Sequence, residues 1–415
     1  MFKKIASLVL ALVMVLGACF ALGSCNGGKD GIKAALICLH DDSSTYDKNF
    51  IDAFKTACAN KGVEYKIVTG IAEDTACYDK AADFADSGFD VIFADSFGHE
   101  PFMIDAAKEF PNVQFCHATG TKAHTENLSN YQNAFASIYE GRYLAGVAAG
   151  LKLLEIYDTD NDGDITDAEA KVGYVGAFPY AEVISGYTSF FLGVRSVVEN
   201  ATMEVRYTNN WYDPTAEMNT AQALIDAGCK LISQHADSMG APTACENAGI
   251  PNVAYNVATG TNTFVIASRI DWVPYFEYML DCVINGKDID ADWTGNLANG
   301  AVKVTALGAA AAEGTQAKLD EVAAKLKDGS LKVFDCSKFT VRNAKADTSA
   351  FSKADAITMD ENGRLTAYNA DVDDAGDYKG DTNVIKTENG VTFFDESTGR
   401  SAPYFDIVID GITIN

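Results

Sequence analysis

The chain has 415 residues, 48% of them hydrophobic and 11% aromatic, with a formal net charge of -26. So acidic a surface repels phosphates, which excludes nucleic acid or anionic lipid as a partner for the folded body. Cys38, Cys58, Cys77, Cys116, Cys229, Cys245, Cys282 and Cys336 show no CxxC or zinc spacing, and several lie in apolar runs, the pattern of free, buried thiols.

Lys3 and Lys4 precede an apolar run from Ile5 to Gly17, the pattern of a secretory signal. The run continues to Ala21-Leu22-Gly23-Ser24-Cys25, which resembles a bacterial lipobox, where the cysteine is acylated and becomes the mature N-terminus. Leu16-Gly17-Ala18-Cys19 is a second match; Cys25 is preferred because a flexible linker follows it, whereas apolar Phe20-Ala21-Leu22 follows Cys19. A lone signal-anchor helix is the plain alternative. Residues 1–24 are thus expected to be a signal, 25–32 a linker, and acyl chains on Cys25 a lasting anchor at ~0.8 kcal/mol per buried CH₂. The mature protein is then an extracytoplasmic body tethered to a bacterial cell membrane. No other stretch approaches the ~20 apolar residues that span a bilayer. Roughly 390 residues remain, more than one core usually serves, so two lobes are expected.

Ala34 to Leu39 is an apolar run too short for a helix, and reads as a strand buried on both faces. A polar turn follows, His40 to Thr45, and then Tyr46 to Asn60 shows helical spacing at Phe50, Ala53, Phe54 and Ala57. Strand, turn, helix opens a doubly wound sheet, whose ligands sit beyond the carboxyl ends of the strands. The alternation continues with strands at Tyr65–Val68, Val91–Ala94, Val113–Cys116, Val172–Val175, Met203–Tyr207, Leu231–Ser233, Val253–Tyr255 and Phe264–Ala267, with helical stretches between them. The class is α/β, with two parallel-sheet lobes and a hinge. Residues 33–135 and 257–327 are assigned to lobe 1 and 136–256 to lobe 2. Residues 328–415 form a β-rich extension, with strands expected at Leu331–Val341, Gly390–Phe394 and Tyr404–Ile414.

Residues 158–169 match the EF-hand loop D-x-D-x-D-G-x₅-E at every position. Asp158, Asp160 and Asp162 offer carboxylates at alternate positions, and Gly163 permits the sharp turn. Asp164 offers its carbonyl, Thr166 acts directly or through water, Ile165 packs inward, and Glu169 closes the shell. The expectation is a structural Ca²⁺; the bland alternative is an acidic surface turn. The loop joins a helix to a strand, so it belongs at the amino edge of a sheet, away from the ligand.

There is no G-x-S-x-G elbow, H-E-x-x-H, P-loop or strand-following G-x-G-x-x-G, so no enzyme is expected. His40, His99, His117 and His235 fall at or just after strand ends, where ligand-site polar groups are a milder reading than a metal or acid–base site. Asp41, Ser96, His117, Phe178, Trp211, Asp237 and Asn256 all fall just past strand ends and are expected to ring one crevice. Each has a plain alternative as a turn residue or helix cap.

Specific strings then carry a resemblance. Asp47-Lys48-Asn49-Phe50 resembles the D-K-S-F-N motif of the basic membrane protein family, the purine-nucleoside-receptor-like substrate-binding lipoproteins of ABC transporters. Gly141-Arg142-Tyr143-Leu144-Ala145-Gly146, Val172-Gly173-Tyr174-Val175-Gly176, Phe190-x-x-Gly193 and Trp211-x-Asp213-Pro214 resemble further elements of it, in order, over about Lys33 to Gly286. A C-terminal string, Glu396 to Phe405, is similar to a tail in one branch. The resemblance implies a type I periplasmic-binding-protein fold and capture of a purine nucleoside between two aromatic rings, matched by Phe50 and Phe190. It implies acceptors at Asp41 and Asp42 beside Tyr46 and Asp47. The ribose aspartate aligns with Asn256 and the ribose lysine has only Arg269 nearby, both departures from the pattern. The reading is an extracytoplasmic solute receptor delivering a nucleoside-like small molecule to an ABC permease. A ligand-sensing lipoprotein, a sugar receptor stacking on Trp211, and a surface enzyme or calcium-dependent adhesin are the alternatives.

Overall fold

The structure, a computed structural model describing residues 31–342, 357–370, 382–397 and 399–415, is built on two open twisted sheets. The expected signal and Cys25 lie outside the described residues. The first sheet has the order β11-β5-β4-β3-β1-β2, all parallel: β1 Lys33–Ile37, β2 Glu64–Val68, β3 Val91–Ala94, β4 Gln114–Ala118, β5 Tyr131–Ala136 and β11 Asp292–Gly295. The second has the order β12-β10-β9-β8-β6-β7-β17: β6 Lys171–Gly176, β7 Thr202–Tyr207, β8 Leu231–His235, β9 Asn252–Tyr255, β10 Phe264–Ile270, β12 Val302–Val304 and β17 Ile412–Ile414. Its edge strand β12 runs antiparallel and the rest are parallel. Each sheet therefore reverses direction beside its first strand, at β1/β3 and β6/β8, and these switch points are where doubly wound sheets hold ligands.

Local chemistry explains the first unit. Successive residues of β1 are buried on opposite faces: Ala34 and Leu36 meet one apolar cluster, Ala35 and Ile37 the other. Helix α1, Thr45–Lys61, starts at Ser44, whose hydroxyl accepts from the Asp47 N–H, and ends at Gly62 in the left-handed conformation (φ 67°). Its Phe50, Ala53, Phe54 and Ala57 face inward at helical spacing. Helices α2 (Thr75–Asp86) and α3 (Glu100–Glu109) cover the opposite face through Cys77, Ala81, Phe84, Met103 and Ile104. The short α4 spans Ala123–Glu126.

The second sheet is sandwiched the same way. Helices α5 (Ile138–Tyr157) and α6 (Ala181–Arg195) pack on one face, α7 (Pro214–Asp226) and α8 (Gly240–Ala248) on the other. At the α5–α6 crossing a Cβ on Gly146 would lie 2.0 Å from the Phe190 carbonyl oxygen, and one on Gly193 2.2 Å from that of Tyr143. The two backbones touch, which only glycine permits. Helix α9, Val273–Asn285, returns to cover the first sheet beside α1, and α10, Thr315–Lys327, packs on α5.

The chain therefore crosses between lobes after β5, after β10 and between β11 and β12. This corrects the sequence assignment of 257–327 to lobe 1: residues 273–295 belong there, while β10, β12 and α10 belong to lobe 2. The physical reason is the link between β9 and β10, which are parallel neighbours joined by a short non-helical segment. Parallel pairs ordinarily need a crossover of about a dozen residues or more, so a short link reads as a change of lobe. In the extension, β16 (Val391–Phe394) falls where a strand was expected, whereas Leu331–Val341 is irregular with isolated bridges and only the end of Tyr404–Ile414 is a strand. Hairpins pair β13 (Ile357–Met359) with β14 (Leu365–Tyr368), and β15 (Ile385–Glu388) with β16. Phe334, Phe394 and Phe405 form the aromatic centre of the extension. All eight described cysteines are buried free thiols, and no described helix is long and apolar enough to cross a membrane.

Candidate ligand cleft

The carboxyl ends of the two sheets face each other across a nearly closed cleft whose free volume, about 20 Å³, is little more than a single water needs. Leu39 and His40 follow β1, Ser96 and Phe97 follow β3, and Thr119 follows β4; Trp211, Asp237 and the end of β8 at His235 face them. Tyr46 and Asp47 enter from the first turn of α1, and Glu182 from that of α6. The lobes meet over the cleft: the Thr45 N–H donates to the Asp237 carbonyl at 2.8 Å. Ring contacts link His40 to Tyr212 and Phe97 to Tyr180, with centroids 5.4 and 5.5 Å apart.

Trp211 owes its place to a cap. Asp213 accepts from the N–H groups of Thr215 and Ala216, and Pro214 opens the helix, so α7 begins abruptly and leaves Trp211 on the preceding turn. Phe178 meets Trp211 edge-on at 5.1 Å and stacks on Tyr180 at 5.3 Å. The Asp237 N–H donates to the Trp211 carbonyl at 3.0 Å, tying the two cleft residues together.

The carboxyl groups differ sharply in charge state. Burial alone raises the Asp47 carboxyl, but hydrogen bonds from His40 and Ser44 outweigh it and hold the group below the ordinary range. These are the His40 N–H at 2.8 Å and the Ser44 hydroxyl at 2.6 Å, with His40 Nδ1 at 3.4 Å. Behind it, burial and the Asp47 charge push the fully buried Asp95 carboxyl far up, which favours its neutral form beside Asp47. Asp237 is also raised, by burial first and then by Asp47, Glu217 and Glu182. His235, lowered by burial and by Arg142, stays neutral and lies 3.3 Å from Glu182. Buried Arg142 lies 3.8 Å from the Tyr255 ring and donates to the Gln234 carbonyl. The result is a cleft of hydrogen-bond acceptors and neutral donors bordered by aromatic faces.

Residues 37–333 match the profile of the family described as ABC transporter substrate-binding protein PnrA-like. The chain belongs to this PnrA-like family. A purine-binding protein of Brucella abortus is 30% identical over 66% of this chain and 75% of its own length. A putative ABC transporter glucose-binding protein of Haloferax volcanii is 36% identical over 51% of each chain, so the match spans about half of that relative. Among solved structures, an ABC transporter solute-binding protein from Conexibacter woesei (TM-score 0.59, 21% identity, 73% of this chain and 98% of that one) shares the fold. Another from Aeropyrum pernix does so too (TM-score 0.61, 15% identity, 73% and 93%). The α/β type I binding-protein architecture expected from the sequence is thus the architecture of this PnrA-like chain.

Within this substrate-binding protein, Tyr46, Asp47, Ser96, Trp211 and Asp237 come together on the cleft. Other expected site residues do not. Phe50 is fully buried and stacks on Trp272 at 4.4 Å, in an aromatic core with Phe93 and Phe276. Phe190 is buried under α5 beside Tyr174. Both sit on the sheet-facing sides of their helices, so neither ring lines the cleft. Asp41 is exposed and accepts from the N–H and hydroxyl of Ser43, and Asp42 is exposed beside it. His117 is buried, its imidazole pushed down to about 4 by burial, with Nε2 against the Ser96 carbonyl. Phe178 supports Trp211 from behind. Asn256 ends β9 in a left-handed conformation (φ 63°) with its N–H donating to Ser268. Arg269 donates to Asn49, which in turn donates to the Ile270 carbonyl. That pair stands at the crossing between lobes and not at the ligand cleft.

Sequence reasoning missed Leu39, Phe97, Thr119 and Glu182 as cleft residues. Of the histidines read as ligand-site polar groups, His40 and His235 line the cleft and His99 and His117 are buried away from it; their signal was a polar side chain at a strand end. Glu182 had a weaker one, an acidic group in the first turn of a helix that follows a strand.

The acidic loop 158–169 joins α5 to β6 at the amino edge of the second sheet, opposite the cleft. Carboxylate oxygens of Asp158, Asp160 and Asp162 lie within 4.8 Å of one another. Asp158 accepts from the N–H groups of Asp162 and Gly163, Asp162 accepts from that of Asp164, and Gly163 turns the chain at φ 90°. Ile165 is buried. Glu169 accepts from the Thr166 N–H and hydroxyl and stands apart from the three converging carboxylates. An all-oxygen donor set of this kind suits a hard divalent cation.

Proposed function

We propose that this chain is a receptor, not an enzyme, that captures a small solute bearing a hydroxylated ring, a nucleoside or a sugar, and hands it to an ABC permease. The observation that carries this reading is the pairing of aromatic faces (Trp211, Tyr46, Phe97) with ring-hydroxyl acceptors (Asp47, Glu182) in one enclosed cleft. An aromatic face takes the apolar side of a ring while carboxylates fix its orientation. The relatives named as purine-binding and glucose-binding fall on both sides of that class. One observation favours the sugar: Phe50 and Phe190, the rings assigned to a base sandwich, are core residues, while Trp211 borders the cleft. Calorimetric titration with D-glucose, D-ribose, adenosine and guanosine tests this. Binding of a sugar or nucleoside supports the receptor reading, and silence toward all four across the micromolar range overturns it.

The body is read as extracytoplasmic and held to the membrane through acylated Cys25, which a Cys25→Ser variant released into the soluble fraction would support. The loop 158–169 is read as holding a structural Ca²⁺ through Asp158, Asp160, Asp162, the Asp164 carbonyl, Thr166 and Glu169, with Glu169 turning from Thr166 to the ion. A chelator is expected to lower the melting temperature by several degrees without weakening solute affinity, because the loop and the cleft lie at opposite edges of the sheet. An unchanged melting temperature would remove the calcium reading.

A further inference from the structure

The segment Arg400–Pro403 lies far outside the family match at residues 37–333, yet it stands at the mouth of the cleft. Arg400, Ala402 and Pro403 share an outer recess of about 160 Å³ with Phe97, Thr119 and Thr121 of lobe 1 and Tyr180, Ala181, Glu182 and Trp211 of lobe 2. Phe97, Thr119, Glu182 and Trp211 also line the inner cleft, so the two spaces adjoin across these four side chains.

The segment is rooted in lobe 2 and bolted to lobe 1. On the lobe 2 side, β17 extends the second sheet beside β7, and Asp410 pairs with Arg195 of α6 at 2.9 Å. Buried Glu396 lies against Ser185 of α6 and accepts from the Phe405 N–H. On the lobe 1 side, the buried Ser401 donates from both its N–H and its hydroxyl to a single oxygen of Asp292, at 2.9 and 3.0 Å. Asp292 opens β11 of the first sheet, and its other oxygen lies 3.1 Å from His124. Between these anchors the turn is stiffened by Arg400, which donates to the Ala402 and Pro403 carbonyls and stacks over the Tyr404 ring at 4.0 Å.

We propose that Arg400–Pro403 is the third wall of the ligand cleft, and that the Ser401–Asp292 contact is the bolt that limits how far the two lobes part. This rests on the receptor reading for its consequence on ligand exchange, but the mechanical claim stands without it. A hinge that ordinarily swings freely is here bridged by a segment hydrogen-bonded at one end and sheet-paired at the other. Solute must then pass the turn itself, and the turn's shape selects what enters.

Nitroxide labels on the exposed positions Asp42→Cys of lobe 1 and Asn210→Cys of lobe 2, in a chain with Cys19 and Cys25 changed to Ser, report the separation by pulsed electron resonance; the native thiols among the described residues are buried. The full chain without added solute is expected to give one narrow distance, and Ser401→Ala and Asp292→Ala broader, longer distributions, the second more so. Ser401→Ala keeps the experiment readable should Asp292→Ala fold poorly. Identical distributions in all three chains would overturn the bolt. In stopped-flow exchange with whichever of D-glucose, D-ribose, adenosine or guanosine binds, Pro403→Gly is expected to speed release at least tenfold, and an unchanged rate would overturn the wall. If none of the four binds, the receptor reading fails and the distance measurement still decides the bolt.

Discussion

The two walls of the cleft carry the same residue type in opposite states. Asp47, on lobe 1, is almost wholly buried and ionised; Asp237, on lobe 2, is almost as buried and raised far toward neutrality. Depth therefore does not decide the charge. Donors do: Asp47 receives an N–H and a hydroxyl from its own turn, whereas no hydrogen bond reaches the Asp237 carboxylate among the described residues. Lobe 1 thus presents a fixed anion and lobe 2 a group that can either donate or accept.

The largest effect is expected from breaking the lobe 1 wall. Asp47→Ala orphans the Ser44 hydroxyl and the His40 N–H, at a cost of about 2–4 kcal/mol in stability, and removes the anion from the cleft. Denaturant melts and calorimetry should show both losses together. Trp211→Ala should weaken solute binding by about 1–3 kcal/mol while leaving the urea midpoint nearly unchanged, since the ring caps a cleft and not a core.

The sign of pH dependence separates the walls next. Asp47, depressed in the folded state, adds stability above the unfolded carboxylate range that is lost as pH falls through it. Raised groups do the reverse. Glu217, under Asp237 and pushed up by burial to about 7, adds stability that is complete below the unfolded range and lost as pH rises toward 7. Glu217→Gln should remove that slope, read from melting temperatures across pH 4–8, while its amide nitrogen faces one of the two N–H groups, of Asp213 and Ser238, that the carboxylate accepts. The smallest effect belongs to Asp237→Asn, which should change stability far less than Asp47→Ala, because burial already favours the neutral form of the Asp237 carboxyl. A large loss would show that Asp237 is ionised after all, and the contrast between the walls would collapse.

Much of the fold was readable because strands and caps declare themselves locally. Ala34 to Leu39 has no polar face, and Asp213-Pro214 is a helix start whatever lies around it. Part of the cleft was readable for the same reason: Ser96, Trp211 and Asp237 follow strands, and strand ends converge. The aromatic assignment went astray through position along the helix. Tyr46 and Phe50 share one face of α1 and their rings lie 4.9 Å apart, but Tyr46 stands in the first turn at the cleft, while Phe50 lies one turn deeper against Phe93 and Trp272. The tail was beyond reach, because nothing local in Arg400-Ser401-Ala402-Pro403 tells that its partner is Asp292. Long-range hydrogen bonds leave no periodic trace.

The pairing of Ile412–Ile414 with Met203–Val205 has a consequence in time. Strands β1 to β5 are contiguous in sequence, and the first sheet is complete once its edge strand β11, Asp292–Gly295, has been made. The second sheet gains one edge strand at Val302–Val304 and the other only with Ile412–Ile414, much later in the chain. Distant pairings close slowly, so lobe 2 should acquire its protection against amide hydrogen exchange after lobe 1, with β7 among the last strands to be shielded.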